Sequence, residues 1–180
     1  MRTDQAEFLR EFLLPQLKSE QVITKKILSS VPDDQGDYKP DARSKTAVQL
    51  AWHIALCEIW FLDAVIHQRF GETERLPTRV QNCREVAQWY EENFSRLAAQ
   101  LEVLSAEELS TPIDFLGLRN DPAVAYINIA IRHSVHHRGQ LSAYLRPMGA
   151  KVPAIYVESA DEPYPPPEGS AMTDARPPAF

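Results

Sequence analysis

Four stretches of the chain repeat apolar residues at intervals of three and four, the rhythm of a helix that buries one face. The first covers residues 4–30, with Phe8, Phe12, Leu13, Leu17, Ile23, Ile27 and Leu28 on its stripe. Pro15 lies within it and removes a backbone donor, so the helix is predicted to kink or divide near its first third. A turn-rich run over residues 31–41 follows, and Ser44 is placed to cap a second helix reaching about residue 68. The apolar face of that helix reads Leu50, His53, Cys57, Trp60 or Phe61, and Ala64, which puts a histidine on the core side. The third stretch, residues 78–104, carries Val80, Cys83, Ala87, Tyr90, Phe94, Leu97, Leu101 and Leu104 in strict alternation of three and four, the seam of a left-handed bundle. Its carboxylates Glu85, Glu91 and Glu92 fall off the seam and read as a solvated face. A connection over 104–121 contains Pro112 and one acidic turn of helix at 106–109. Asp121 followed by Pro122 is then an N-cap with proline at the first helical position. The fourth helix extends to about residue 147, with Tyr126, Ala130, His133, His137, Gln140 and Tyr144 on its inward stripe.

No stretch alternates with period two and no segment repeats. The pattern predicts an all-α four-helix bundle over residues 1–148 without a sheet. Beyond it the character changes, since seven of the 14 prolines lie between Pro153 and Pro178. Residues 149–180 are therefore expected to run extended over the surface, with the last dozen disordered.

Composition narrows the partners more than the fold. At 180 residues the chain fits one domain, and 19 Lys+Arg against 25 Asp+Glu leave a net charge of −6. With no basic cluster, nucleic acid and anionic membranes are excluded as main partners. No apolar run approaches the roughly 20 residues of a membrane span, and the first residues lack a signal-peptide core. Cys57 and Cys83 show no disulfide or metal-finger spacing, which points to a reducing cytoplasm. Trp52 and Trp89 lie off the main stripes, an excess of aromatic surface that implies a homodimer.

The chemistry concentrates in residues 132–146, where three of the five histidines fall within five positions. His133 and His137, four apart, leave one helix face a turn apart and can converge on one ion. His136 is about 100° away around the helix and cannot easily join them. His67 lies at a helix end, where it reads as structural or solvated. His53 supplies a third inward imidazole, and three such rings are costly to bury unless something binds them. Three histidines without a thiolate favour zinc, nickel, iron or copper over magnesium or calcium. Cys57, one turn after His53, is the only candidate fourth ligand, and with it the site would be closed and structural. Without it one position stays open, as in catalytic centres.

The block from His133 to Arg146, His-x-x-His-His-Arg-Gly-Gln-Leu-x-x-Tyr-Leu-Arg, resembles the DinB family of four-helix metalloproteins. Leu50-Ala51-Trp52-His53-Ile54-Ala55 resembles the family's second-helix region. Val152-Pro153-x-Ile155-Tyr156 with Ser159-Ala160-Asp161-Glu162 is similar to its tail, although Val157-Glu158 replaces the usual glycine-proline. The resemblance implies His53, His133 and His137 as metal ligands, zinc or nickel as the ion with iron as a further option, and a dimer. It also implies chemistry with a low-molecular-weight thiol. Three functions follow as expectations. One is a thiol-dependent transferase acting on a small electrophile, with Gln140 and Tyr144 as candidate catalytic residues. The others are a structural or stress-response metal protein and a metal-dependent hydrolase, the last wanting a general base because no carboxylate was found on the inward stripes.

Overall fold

The computed structural model describes residues 1–165 apart from residues 74 and 79. The predicted disorder of the last dozen residues lies outside that range. The helices are α1 (Thr3–Ser29), α2 (Ala47–His67), α3 (Cys83–Val103), the short α4 (Ala106–Ser110) and α5 (Ala123–Leu145). α2 packs against α5 and α3, and α1 closes the ring by packing against the same two. The two histidine-bearing helices are therefore neighbours across a shared groove. α2 is buried on most of its circumference, from Ala47 and Leu50 through Ile54, Glu58 and Phe61 to Val65. Among the described residues α2 is the one helix long and apolar enough to cross a membrane, a feature the sequence reading overlooked. In the bundle most of it faces protein.

Helix boundaries follow capping chemistry more closely than apolar rhythm. α2 starts two residues later than expected because Thr46, not Ser44, caps it. The Thr46 hydroxyl accepts from the Gln49 amide, while the Gln49 side chain accepts from the Thr46 amide. Ser44 is held instead by Asp41, whose carboxylate accepts from the Ser44 hydroxyl and the amides of Arg43 and Ser44. α3 begins at Cys83 with Asn82 as cap, so Val80 belongs to the preceding loop and not to the seam.

α1 decides one expectation and corrects another. It passes through Pro15 as one helix and is not divided there. Pro15 is on the exposed face, as is Glu11, so water can satisfy the carbonyl that loses its helical donor. Phe8 and Phe12 are not core residues. They stack on each other in solvent, 65% and 58% exposed, while Ala6, Leu13, Leu17, Ile27 and Leu28 face inward.

The connection before α5 contains a feature no periodicity announced, a two-stranded antiparallel hairpin of β1 (Pro112–Phe115) and β2 (Arg119–Pro122). Asp121 and Pro122 thus sit in a strand, opposite Ile113 and Pro112, and α5 starts one residue later without a side-chain cap. The turn uses left-handed backbone at Leu116 and Gly117, with Asp114 accepting from the Gly117 amide. The hairpin matters because Ile113 is buried and accepts the Tyr126 hydroxyl at 2.9 Å, while Phe115 joins an aromatic cluster with Trp60, Phe61, Phe70 and Tyr126. That cluster walls one end of the α2–α5 groove.

Trp52 is buried and lies against Trp89 at 4.5 Å between ring centroids. The aromatic surplus that motivated a homodimer is thus spent within one chain, and the exposed apolar side chains include Phe8, Phe12, Leu116 and Leu118. Over residues 150–165 the chain forms no helix or strand. It is tied down by Asp161, which accepts from the Val152 amide and pairs with Arg146, and by Glu162, which accepts from the Ala154 amide and Lys26.

Because Pro15 lies inside a continuous helix on its solvent face and removes one helical donor, Pro15→Ala should stabilise the protein. The helical gain of about 3 kcal/mol, less up to about 1 kcal/mol of unfolded-chain entropy, predicts a net of roughly 2 kcal/mol. Chemical denaturation should read this as a higher midpoint at unchanged slope. A lower midpoint would mean that a proline-induced bend is part of the fold.

Candidate metal centre

The buried residues of α5 are Ala123, Val124, Tyr126, Ile127, Ala130, Ile131, Ser134, Arg138, Leu141 and Leu145. The expected inward stripe holds at Tyr126 and Ala130, while its second half, His133, His137, Gln140 and Tyr144, lies one position off the buried face, on a shoulder that borders α2. His53 and Cys57 likewise occupy the half-buried margin of α2 and not its core side. Two shoulders meeting at a groove bring the histidines together. The coordinating atoms available on His53, His133 and His137 all lie within 4.8 Å of one another. The Nε2 atoms of His53 and His137 are 3.2 Å apart, close to the roughly 3.3 Å that two tetrahedral ligands at zinc–nitrogen distances would show.

The surroundings prepare these rings as ligands. Gln140 Oε1 is 2.7 Å from His137 Nδ1, and an amide oxygen only accepts, so His137 carries its proton on Nδ1. Its Nε2 lone pair is left facing His53. The Gln140 amide nitrogen donates in turn to His136 Nε2 at 3.3 Å. His136 is exposed and outside the cluster, as its position around the helix predicted. Burial pushes His53 and His133 down to about 4, helped by the neighbouring imidazoles, and lowers His137 as well. All three are therefore neutral near pH 7, the form that binds metal. His133 Nδ1 is buried without a partner among the described residues. A neutral three-nitrogen set with one orphaned nitrogen fits a divalent transition metal.

Cys57 does not complete the set. Its sulfur is 3.4 Å from His53 Nδ1, on the far side of the ring from the Nε2 that faces His137. Burial pushes the thiol up to about 11. The other residues that the sequence singled out play supporting parts. Gln140 orients a ligand, and Tyr144 donates its hydroxyl to the Lys45 carbonyl at 3.3 Å while its ring meets Tyr38 edge-on. His67 lies at the end of α2 beside Asp63, away from the centre.

Sequence reading missed a buried polar layer directly beneath the histidines. Glu58 is fully buried, and its two oxygens accept from the hydroxyls of Tyr90 and Ser134, the residue next to His133. Arg138, next to His137 and 1% exposed, donates to the Glu20 carboxylate and carbonyl, to Thr24 and to the Tyr156 hydroxyl. The inward stripes therefore do hold a carboxylate, contrary to expectation. The available signal was Glu58 as a lone charge inside the apolar run Ile54-Ala55-Leu56-Cys57-Glu58-Ile59-Trp60-Phe61. Desolvation lifts Glu58 to about 7, against the opposing hydrogen bonds from Ser134 and Tyr90 and the charge of Arg138.

Known proteins share this plan. The model of the DinB family matches residues 3–168. The uncharacterized Bacillus subtilis proteins YjoA and YrdA are each 27% identical, over 130 residues (71% of this chain, 82% of YjoA) and 142 residues (77% and 83%). A crystal structure of a DinB-like protein from Bacillus cereus superposes with a TM-score of 0.71 at 26% identity, covering 81% of this chain and 97% of that one. The YjoA structure gives 0.67 at 25% identity, covering 79% and 96%. A mycothiol-dependent maleylpyruvate isomerase shares the fold alone, with a TM-score of 0.54 at 14% identity over 73% of this chain and 60% of that one.

Two outcomes follow. Alanine at His53, His133 or His137 should each sharply lower the metal content of purified protein, while His136→Ala keeps it and Gln140→Leu weakens affinity about 10- to 100-fold. Full occupancy in His53→Ala would remove α2 from the site. The second concerns Glu58, whose folded-state value lies above its unfolded one, so the native state holds the extra proton between about pH 4.5 and 7. Stability from this group is present at low pH and is lost as pH rises through 7. The stability of Glu58→Gln relative to the parent should therefore climb between pH 5 and 8, by on the order of 3 kcal/mol. A pH-independent difference in denaturation midpoints would contradict this.

Proposed function

The chain belongs to the DinB family, and on that premise we propose that it is a metal-dependent enzyme whose three-histidine centre uses a small thiol to attack an electrophile, a transferase-type reaction. The observation that carries this reading is the position of Cys57, behind the His53 ring and off its Nε2 side. The protein thereby offers three nitrogens and leaves a fourth position for an outside ligand. Zinc or nickel, with iron as a further candidate, would supply one thing there: it would lower the pKa of an incoming thiol and hold it as the nucleophile.

The chain's own residues do the rest. His53, His133 and His137 present neutral lone pairs to the groove, and Gln140 fixes the tautomer of His137. Phe61 packs against His133 at 6.2 Å and keeps that end of the groove apolar. No base is needed at the reacting atom if the thiol proton leaves to solvent. This favours thiol chemistry over hydrolysis, because the one inward carboxylate, Glu58, has both oxygens engaged and no exposure. The distant structural relative named for mycothiol dependence supports the same class of nucleophile. Cys57 and Cys83 are both free, which supports a reducing, cytoplasmic setting. A homodimer would be built on exposed apolar residues such as Phe8 and Phe12.

Cobalt-loaded protein titrated with 2-mercaptoethanol tests this reading. The expected result is a saturable sulfur-to-cobalt charge-transfer band that is absent in His137→Ala and unaffected in Cys57→Ser. A spectrum unchanged at millimolar thiol, or a band present before addition and lost in Cys57→Ser, would overturn it in favour of a closed structural site.

A further inference from the structure

Lys45 precedes the N-cap of α2, and its carbonyl accepts the hydroxyl of Tyr144 from α5. Tyr144 lies seven residues, about 10 Å, beyond His137 along that helix. Lys45 and Tyr144 therefore close the end of the histidine groove opposite the aromatic wall of Phe61 and Phe115. Lys45 is exposed and enters no ion pair among the described residues. Its flexible stem of four methylenes can lay the ammonium back along the groove toward the centre.

The charge around the centre is unusual for this chain. The protein carries −6 overall, yet the ligand set is three neutral imidazoles, and a divalent ion held by them would keep its full charge. Outside the histidines, the one charge that bears on His53, His137 and Cys57 is that of Lys45. Among the described residues no carboxylate pairs with the three histidines, and Glu58 is turned away toward Tyr90 and Ser134. The N-terminal end of α2, with its positive end of the helix dipole, points the same way.

We propose that the ligand taken in this groove is anionic, carrying a carboxylate in addition to the sulfur that meets the metal, and that Lys45 selects it. This rests on the reading of the centre as an open metal site. The Lys45 ammonium and the ligand carboxylate form an ion pair at the groove mouth, while the apolar part of the ligand lies toward the aromatic wall. Lys45 touches neither the metal nor its ligands, so it sets affinity and choice without holding the ion.

Cobalt-loaded full-length protein, read by its sulfur-to-cobalt band at low ionic strength, tests the assignment. The probes are 3-mercaptopropionate, 2-mercaptoethanol and cysteamine. The parent protein should rank them in that order. Lys45→Met should weaken 3-mercaptopropionate about 3- to 5-fold, the size of a solvent-exposed charge pair, and leave 2-mercaptoethanol within twofold. Lys45→Arg should restore the ranking, and added salt should compress it in the parent but not in Lys45→Met. A preference for 3-mercaptopropionate that survives intact in Lys45→Met arises from chelation at the metal and overturns the role of Lys45. A band that forms equally with all three thiols does the same while leaving the open site standing. No band with any thiol, in protein shown to hold its cobalt, overturns the open-site reading itself.

Discussion

The centre depends on α5 holding one angle of roll against α2. His133 and His137 are not core residues, so apolar burial alone does not aim them. A rotation of α5 by one residue, about 100°, would take both rings out of the groove. Two polar pins, about 100° around the helix from the histidines, prevent this. Ser134 is fastened to Glu58 of α2, and Arg138 to Glu20 of α1. Each pin is one residue beyond a ligand histidine, so the ligand spacing and the pin spacing are the same i,i+4 interval.

Such a design costs stability. Glu58 and Arg138 are both desolvated, and Arg138 Nε finds no partner among the described residues. Replacing buried ionic groups by well-packed apolar residues is often neutral or stabilising in other proteins. Their presence beneath the histidines is understandable if they hold geometry. The imidazoles present a second cost, since three half-buried neutral rings crowd together with their available nitrogens within 4.8 Å of one another. Binding an ion would offset that cost by satisfying nitrogens that otherwise face each other.

The bundle and the meeting of the three histidines were legible in the sequence because both are written in residue spacing. The alternation of three and four in α3 survives from Cys83 to Leu101 in the buried set, and the histidine interval needs only the helical period. What escaped was written in other terms. The hairpin strands are four residues long and contain Asp114, Arg119, Asn120 and Asp121, so they show no alternation to read. Glu58 and Arg138 escaped because a charged residue is ordinarily counted as exposed, and only its partners make it a core residue. That error also displaced the α5 stripe. Once Arg138 is admitted to the core, the face 127, 131, 134, 138, 141, 145 becomes continuous and the histidines move to its shoulder. Trp52 was misjudged for a related reason, since α2 is buried nearly all round and has little free face.

The central claim is that the protein contributes three imidazole nitrogens and no sulfur to a metal that still accepts an outside ligand. X-ray absorption at the zinc edge measures this directly, with and without thiol. The account predicts imidazole scattering at about 2.0–2.1 Å in the resting protein, with one sulfur at about 2.3 Å appearing only after thiol is added. A sulfur shell in the resting protein that disappears in Cys57→Ser, or a four-nitrogen shell that thiol leaves unchanged, would contradict it.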